Sequence, residues 1–233
     1  MHFEKEHVYH IYNQGNNRQE IFFKRENYLF FLRKVRAHML PYCDVFAWCL
    51  MPNHFHFLVR VNEVELTVRE ASQAVTLRPA TIQGVTQTVA SLGMTQKPVA
   101  SQGVTQSHTL TKKKLRTFND SIGILLRSYT RAINKQEGTT GSLFRNETKA
   151  SCLSCPEVTV PEFLRHSGQK GPYIYDSSKE YLNVCFNYIH QNPVNAGLVN
   201  KPADWEFSSA QDYAMLRNGS LINKKLSKEY EIT

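Results

Sequence analysis

The spacing of apolar residues along the chain predicts short strands and longer helices in alternation. Residues 7–14 (HVYHIYNQ) and 42–50 (YCDVFAWCL) are rich in the aromatic and β-branched residues that favour strands. In residues 54–61 (HFHFLVRV), a phenylalanine or valine follows every other residue, which is the two-residue period of a strand. The turn signal Met51-Pro52-Asn53 joins the last two segments, so we predict a hairpin there.

Three further segments place apolar residues at helical spacing. The first covers residues 26–39 and the second 115–137. The third begins at Ser177, whose distance from Glu180 fits a capping box. We expect it to end at Asn192-Pro193, because a proline ring disfavours helical geometry in the residue before it. With a candidate strand at residues 142–150, this order predicts a two-layer α+β sandwich with a central antiparallel sheet.

The segment 63–111 differs from the rest of the chain, with few aromatic residues and many Thr, Gln, Ser, Ala and Val. Similar motifs recur in it, such as Gln83-Gly-Val-Thr-Gln and Gln102-Gly-Val-Thr-Gln. Each unit is too small and too polar to bury a face, so we predict a flexible, disordered insertion. A β-rich excursion is the alternative, since Val and Thr favour strands. The predicted organisation is residues 1–62 and 112–199 as halves of one domain, 63–111 as the insertion, and 200–233 as a tail partly packed on the core.

The charge balance favours a polyanionic partner. The 233 residues carry a formal net charge of +8, with a sequence pI of about 9.2. Nucleic acid is the first candidate, and a basic protein without such a partner is the alternative. Apolar runs stay well short of the ~20 residues that span a membrane, and the first residues lack the apolar core of a secretory signal. Five scattered cysteines argue against a disulfide framework, so we expect a reducing, cytoplasmic setting.

His54 and His56 are the first candidates for chemistry. On a strand, residues two apart project from the same face, while Phe55 and Phe57 project from the other. Two neighbouring imidazoles are suited to bind one divalent ion. The alternative is a pair of surface histidines without a ligand.

Tyr188 and Asn192 form a second candidate pair. They are four residues apart on the last predicted helix and therefore share a face. An amide oxygen can complete a coordination shell begun by two imidazoles. A tyrosine beside such an ion could attack a phosphodiester, although its free pKa near 10 means that it needs help. Alternatively, Tyr188 is an aromatic residue of the core. Tyr129 is a second candidate nucleophile, but it lies on the apolar stripe of its helix, which predicts a core role.

The combination of these motifs resembles a known family. The segment from Met51 to Val59 (MPNHFHFLV) resembles the His-hydrophobic-His strand of the HUH single-tyrosine transposases, the IS200-like superfamily. The segment from Tyr188 to Val199 (YIHQNPVNAGLV) resembles the catalytic helix and exit loop of their REP-associated branch. Asp204 to Ser209 (DWEFSS) and Tyr9 to Asn17 are similar to two further motifs of that branch. The resemblance covers most of the chain outside the insertion.

The resemblance implies a fold and a reaction. The fold would be a ferredoxin-like or RRM-like sandwich whose halves form the catalytic domain. His54, His56 and Asn192 would hold Mg²⁺ or Mn²⁺, and Tyr188 would attack a phosphodiester of single-stranded DNA. The products would be a 5′-phosphotyrosine and a free 3′-hydroxyl, which allows DNA nicking and joining without ATP. The implied partner is single-stranded or hairpin DNA, the protein would be a monomer or homodimer, and the setting would be nucleoid-associated cytoplasm.

Basic residues on the second long helix and around it are candidates for DNA contact, because they can neutralise phosphates. They are Lys112, Lys113, Lys114, Arg116, Arg127, Arg131, Lys135, Arg145 and Lys149. Each could instead be an ordinary solvated charge. The lone Cys152-Leu-Ser-Cys155 motif lacks further ligands at the usual spacing of a zinc site, with His166 and Cys185 as conceivable partners.

Two other functions stay open at this stage. The protein could be a hairpin-binding nucleic-acid module, catalytically inactive or domesticated by its host. It could also be a metal-dependent hydrolase without a covalent step, in which case Tyr188→Phe would leave cleavage largely unchanged.

Overall fold

The computed structural model describes residues 1–77, 114–155 and 178–232. Within these ranges the strands are β1 (Val8–Gln14), β2 (Cys43–Met51), β3 (His54–Val61), β4 (Glu65–Thr67), β5 (Leu115–Thr117) and β6 (Lys149–Cys152). The helices are α1 (Arg25–His38), α2 (Val68–Leu77), α3 (Phe118–Glu137), α4 (Ser178–Asn195), α5 (Ala210–Tyr213) and α6 (Lys224–Glu229).

The central sheet has the strand order β2-β3-β1-β6, and every neighbouring pair is antiparallel. Along the chain, these strands and the helices α1 and α3 follow the order β-α-β-β-α-β. A strand lying between two others that a helix connects is the split βαβ arrangement of ferredoxin-like folds. The predicted α+β class with a central antiparallel sheet is therefore confirmed.

One face of the sheet is covered by α1 and α3. Ile11 of β1 and Phe55, Phe57 and Val59 of β3 point to this side and pack with the apolar stripes of both helices. Tyr129 of α3 is fully buried in the same cluster, and its hydroxyl donates a hydrogen bond of 2.6 Å to the carbonyl of Ile21. Tyr129 is a core residue, as its place on the apolar stripe predicts.

The opposite face of the sheet is covered by α4. Val8 and Leu58 point to this side and pack with Cys185 and Ile189 of the helix. His10, Tyr12, His54 and His56 belong to the same face by strand alternation. The helix α4 therefore lies directly over the histidines of β1 and β3, which decides where a site can form.

The first turn after β1 requires a glycine. A Cβ atom on Gly15 would lie 2.1 Å from the carbonyl oxygen of Gln19, a distance that no side chain tolerates. The amide of Gly15 donates to the carbonyl of Asn53, in the β2–β3 turn. This close approach brings the ends of β1 and of the hairpin together beside His54.

The structure corrects two predicted boundaries. The predicted insertion begins at residue 63. In the structure, however, β4 (Glu65–Thr67) pairs with β5 (Leu115–Thr117) as a two-stranded sheet, and α2 directly follows β4. The rest of the insertion lies outside the described residues. The α4 helix continues through Pro193 to Asn195, because a proline in the last turn removes only one amide donor and its carbonyl still accepts from Leu198.

Two other segments also differ from expectation. The candidate strand at 142–150 is realised as Lys149–Cys152, preceded by an isolated bridge between Gly15 and Phe144. Ser177, the predicted cap of α4, lies outside the described residues. No helix among the described residues is long and apolar enough to cross a membrane.

The residues after α4 return to the sheet. The indole nitrogen of Trp205 donates to the carbonyl of Leu50 at 2.9 Å, and Ser209 bonds the backbone of Trp48 through its hydroxyl. The Ser209 hydroxyl also contacts Nε2 of His190 at 2.7 Å. The segment Asp204 to Ser209 is thus connected by hydrogen bonds to both β2 and α4.

Candidate active site on the helix-covered face of the sheet

His54 and His56 point together from β3 toward α4. Their ring centroids are 5.0 Å apart, with the rings nearly perpendicular. Burial lowers the pKa of both imidazoles below its usual value, most strongly for His56. Both rings are therefore neutral near pH 7, and a neutral imidazole carries the lone pair that a metal ligand needs.

The tautomer of His54 follows from its hydrogen bonds. Its Nδ1 lies 2.6 Å from Oδ1 of Asn53, an oxygen that can only accept. The orientation of that amide is set because its nitrogen donates to the carbonyl of Arg18. Nδ1 of His54 must therefore carry the proton, which leaves the lone pair on Nε2.

The lone pair of His54 faces an oxygen of α4. Nε2 of His54 lies 3.5 Å from Oδ1 of Asn192, and the amide nitrogen of Asn192 donates to the carbonyl of Tyr188 at 2.8 Å. That bond turns the amide oxygen toward β3. Two atoms with lone pairs thus face each other without a hydrogen between them, an arrangement that a shared cation would stabilise.

His56 contributes a second inward-facing nitrogen. Its Nδ1 lies 2.9 Å from Nε2 of His10, on the neighbouring strand β1. Its Nε2 is buried and has no hydrogen-bond partner among the described residues. A buried nitrogen without a partner is costly, and a bound cation would remove that cost. Nε2 of His54, Nε2 of His56 and Oδ1 of Asn192 are therefore the atoms that could hold a divalent metal ion.

Tyr188 lies against the paired imidazoles. Its ring centroid is 5.5 Å from that of His56 and 6.1 Å from that of His10, in edge-to-face geometry. Burial raises the pKa of the Tyr188 phenol, and a side-chain hydrogen bond with Asn192 acts in the opposite direction. Tyr188 as a whole is half-buried. The four residues predicted to act together are thus brought together.

Two residues of this group escaped the sequence analysis. His10 and Tyr12 lie on β1, and their rings stack at 4.8 Å. Tyr12 pairs directly with His56 across the strands, and its ring lies 5.8 Å from that imidazole. The i, i+2 spacing of His10 and Tyr12 was visible in the sequence. Their proximity to His56 was not, because it depends on the register between β1 and β3.

A basic cleft lies at the β6 edge of the sheet. It has a volume of about 1060 Å³ and runs between α3 and residues 141–150. Four of the predicted DNA-binding residues line it and are exposed, together with the acidic Asp120 and Glu147. The four are Arg127, Arg131, Arg145 and Lys149.

One residue of the cleft, Lys149, is connected to the histidines by the strand register, whereas α3 lies on the opposite face of the sheet. Lys149 pairs with Tyr12, and Tyr12 pairs with His56. Two strand spacings of about 4.8 Å place the backbone of Lys149 about 10 Å from that of His56, on the same face. The loop before Lys149 is held by the buried Asn13, whose amide donates to the carbonyl of Arg145 and to the hydroxyl of Thr148.

Three other predicted DNA contacts, Lys114, Arg116 and Lys135, are described but lie outside the lining of the cleft. Lys112 and Lys113 lie outside the described residues. Among the seven described residues of the predicted basic set, the structure thus groups four.

The cysteines behave differently from the expectation of five unpaired thiols. Cys152 and Cys155 form a disulfide, with their Cα atoms 5.7 Å apart. Cys43, Cys49 and Cys185 are buried thiols that are not part of this disulfide. Cys185, on α4, packs in the core against the sheet, and His166 lies outside the described residues.

No protein-family model and no curated protein sequence matches the chain. A solved structure of a REP-associated tyrosine transposase bound to a REP hairpin is similar in shape, with a TM-score of 0.45 and 14% sequence identity. The match covers 92% of this chain and 83% of that one. A likeness of this degree leaves the activity of the chain to be inferred from its own residues.

Proposed function

We propose that this protein is a metal-dependent, single-tyrosine DNA strand transferase of the HUH type, which nicks and rejoins single-stranded DNA beside a hairpin. The observation that carries the proposal is the grouping of Tyr188, Asn192, His54 and His56. The lone pair of His54 faces the amide oxygen of Asn192 at 3.5 Å, and the phenol ring lies 5.5 Å from that of His56. Nε2 of His56 is buried and has no hydrogen-bond partner among the described residues, and a bound cation would satisfy it.

His54, His56 and Asn192 would hold Mg²⁺ or Mn²⁺. When bound, such an ion supplies charge neutralisation and orientation of the scissile phosphate. The protein contributes rigidity: Nδ1 of His54 is fixed by Asn53, and Nδ1 of His56 by His10. Hydrogen bonds behind the ligands set their orientation and raise their affinity.

Tyr188 would be the nucleophile. Its oxygen forms a bond to phosphorus while the bond from phosphorus to the 3′ oxygen of the preceding nucleotide breaks. The phenol gives up its proton to water, and the departing oxygen takes one up to become a 3′-hydroxyl. The product is a 5′-phosphotyrosine, and attack by another 3′-hydroxyl reverses the step. One phosphodiester replaces another, so the reaction consumes no nucleotide cofactor.

The basic cleft would receive the DNA backbone. Arg127 and Arg131 on α3 line it together with Arg145 and Lys149. Lys149 pairs across the strands with Tyr12, and Tyr12 pairs with His56. A strand held by these cations would pass around the β6 edge of the sheet, from the side of α3 to the side of His56, to reach the nucleophile. Tyr12 offers an aromatic face on which a splayed base can stack.

The proposal is tested by trapping the covalent intermediate. The protein is incubated with a labelled hairpin that carries a single-stranded flank, with Mn²⁺ or with a chelator, and the products are separated under denaturing conditions. Wild type is expected to give a slow-migrating protein–DNA adduct that the chelator abolishes. Tyr188→Phe should lose it, whereas the matched variant Tyr129→Phe, altered in the core, should retain it.

Other results would point to the alternatives. Binding of the hairpin without an adduct in wild type would support a nucleic-acid-binding module. Cleavage that persists in Tyr188→Phe would support a hydrolase without a covalent step. Either result would overturn the proposed mechanism.

A further inference from the structure

A second cluster of ligand atoms lies at the other end of β1. His7 precedes β1, and Cys152 and Cys155 lie at the end of β6 and just beyond it. One ligand atom from each of the three residues lies within 4.8 Å of the others. His7 is 145 and 148 positions away from the two cysteines in the sequence, and the pairing of Tyr9 with Cys152 brings them together.

The imidazole of His7 presents a lone pair to the sulfurs. Its Nδ1 lies 3.9 Å from Sγ of Cys155 and 3.1 Å from the hydroxyl of Ser154. That hydroxyl already accepts the amide of Val8 at 2.9 Å, so its own hydrogen can bond Nδ1 in the metal-free protein and would turn away when Nδ1 binds a cation. On the far side of the ring, Nε2 lies 3.6 Å from a carboxylate oxygen of Glu4. A carboxylate there favours the proton on Nε2 and leaves Nδ1 as the ligand.

The cysteines have the spacing and position that a soft cation requires. Two cysteines separated by two residues are the usual first half of a zinc site. In a tetrahedral site, zinc–sulfur bonds of about 2.3 Å place two thiolates about 3.8 Å apart. Reduction of the Cys152–Cys155 bond would let the sulfurs move apart to this distance without moving the strands. The side chain of His7 is 29% exposed, so water can reach a fourth position.

We propose that reduced Cys152 and Cys155, together with Nδ1 of His7, form a binding site for a zinc-class divalent cation. Binding converts two thiols to thiolates and releases two protons. Formation of the disulfide removes two protons and two electrons from the cysteines. A small-molecule disulfide accepts both and is reduced to two thiols. The same sulfurs cannot serve both states, so oxidation and metal binding exclude each other.

The ion would tie the edge strand of the sheet to its neighbour. Leu153 is fully buried under α4 and its amide donates to the carbonyl of Val8. The amide of Val8 in turn donates to Ser154. A cation bound by His7 and the two cysteines would link the residue before β1 to the end of β6 through metal–ligand bonds. His7 is two residues before Tyr9 in the chain. The site is independent of the proposed strand transfer.

The test uses the whole chain, reduced with a phosphine, freed of reductant without air, and titrated with Co²⁺. The expected result is one equivalent of thiolate-to-cobalt charge-transfer absorption, which Zn²⁺ then displaces. This absorption requires sulfur ligands, so Co²⁺ on His54 and His56 cannot produce it. Protein oxidised beforehand with glutathione disulfide should lack it.

Variants separate the three ligands. Cys152→Ser and Cys155→Ser should abolish the absorption, and His7→Gln should weaken Zn²⁺ binding at least about tenfold. His2→Gln, an equally conservative change of a histidine whose side chain is 88% exposed, should bind like wild type. Circular dichroism checks that each variant folds. Absence of the absorption in reduced wild type, or His7→Gln binding as tightly as His2→Gln, would overturn the proposal.

Discussion

Each ligand of the proposed metal site is held by a hydrogen bond on its far side. Asn53 holds His54, His10 holds His56, and the carbonyl of Tyr188 holds the amide of Asn192. Burial lowers the pKa of His10 to about 3, so this ring is neutral and can accept the Nδ1 proton of His56. His10 therefore acts as a positioning residue for His56.

Removing this acceptor should weaken metal binding. In His10→Leu the Nδ1 proton of His56 loses its partner, so Mn²⁺ affinity is expected to fall about 10- to 100-fold, the usual effect of losing a supporting hydrogen bond. His10→Gln keeps an acceptor oxygen and should recover most of the affinity. Calorimetric titration of both variants with Mn²⁺ measures this. Equal affinity in His10→Leu and wild type would show that His10 has no positioning role.

At the scale of elements, α3 and the edge strand β6 form the walls of the basic cleft. The α3 helix begins with Thr117, whose hydroxyl accepts the amide of Asp120, and ends at Gly138 in the left-handed conformation that glycine favours. These ends fix which residues of the helix face β6. Arg127 and Arg131 are one turn apart and both reach the cleft.

Neutralising the cleft should change how DNA binding depends on salt. Each phosphate contact contributes about 0.9 to the slope of log affinity against log salt concentration. Replacing both Arg127 and Arg131 by Ala is expected to lower that slope by about 2 and to weaken binding of every sequence similarly. Lys224→Ala and Lys225→Ala together, on α6 away from the cleft, provide the matched control. An unchanged slope in the arginine variant would place the DNA elsewhere.

Local sequence patterns predicted the helices and strands better than they predicted which strands pair and in what register. Helical spacing placed α1 and α3 within a few residues, and the alternation at His54 to Val61 gave the strand and the shared face of its histidines. The short pairing of Glu65–Thr67 with Leu115–Thr117 was missed, because three residues carry almost no periodicity and their partners lie about fifty residues apart. The proximity of His7 to the cysteines and of His10 to His56 depends on strand register, which the sequence leaves open.

At the scale of the whole molecule, buried histidines make the fold sensitive to acid. His190 is a residue of α4 and contacts the hydroxyl of Ser209, in the segment that follows the helix. Burial lowers its pKa to about 4. Below about pH 6.5 the unfolded chain binds a proton on this ring, whereas the folded chain does not until about pH 4. Proton binding therefore favours the unfolded state in this window, and stability falls as the pH falls.

The contribution of His190 should be measurable. Its shift corresponds to a loss of about 3 kcal/mol between pH 6.5 and 4, at 1.36 kcal/mol for each pH unit. His190→Gln keeps a group that can bond Ser209 but does not titrate, so its stability should depend less steeply on pH. Urea unfolding with a chelator at several pH values between 7 and 4 measures both proteins. Parallel curves would mean that His190 does not contribute.

The most direct measurement of the central claim is the identity of the residue that carries DNA after the reaction. The adduct formed with a hairpin-flanked single strand is digested with protease and nuclease, and the modified peptide is located by mass spectrometry. We predict a nucleotide joined through its 5′ phosphate to Tyr188. A nucleotide on Tyr129 or Tyr12, or a joint through a 3′ phosphate, would contradict the proposed mechanism.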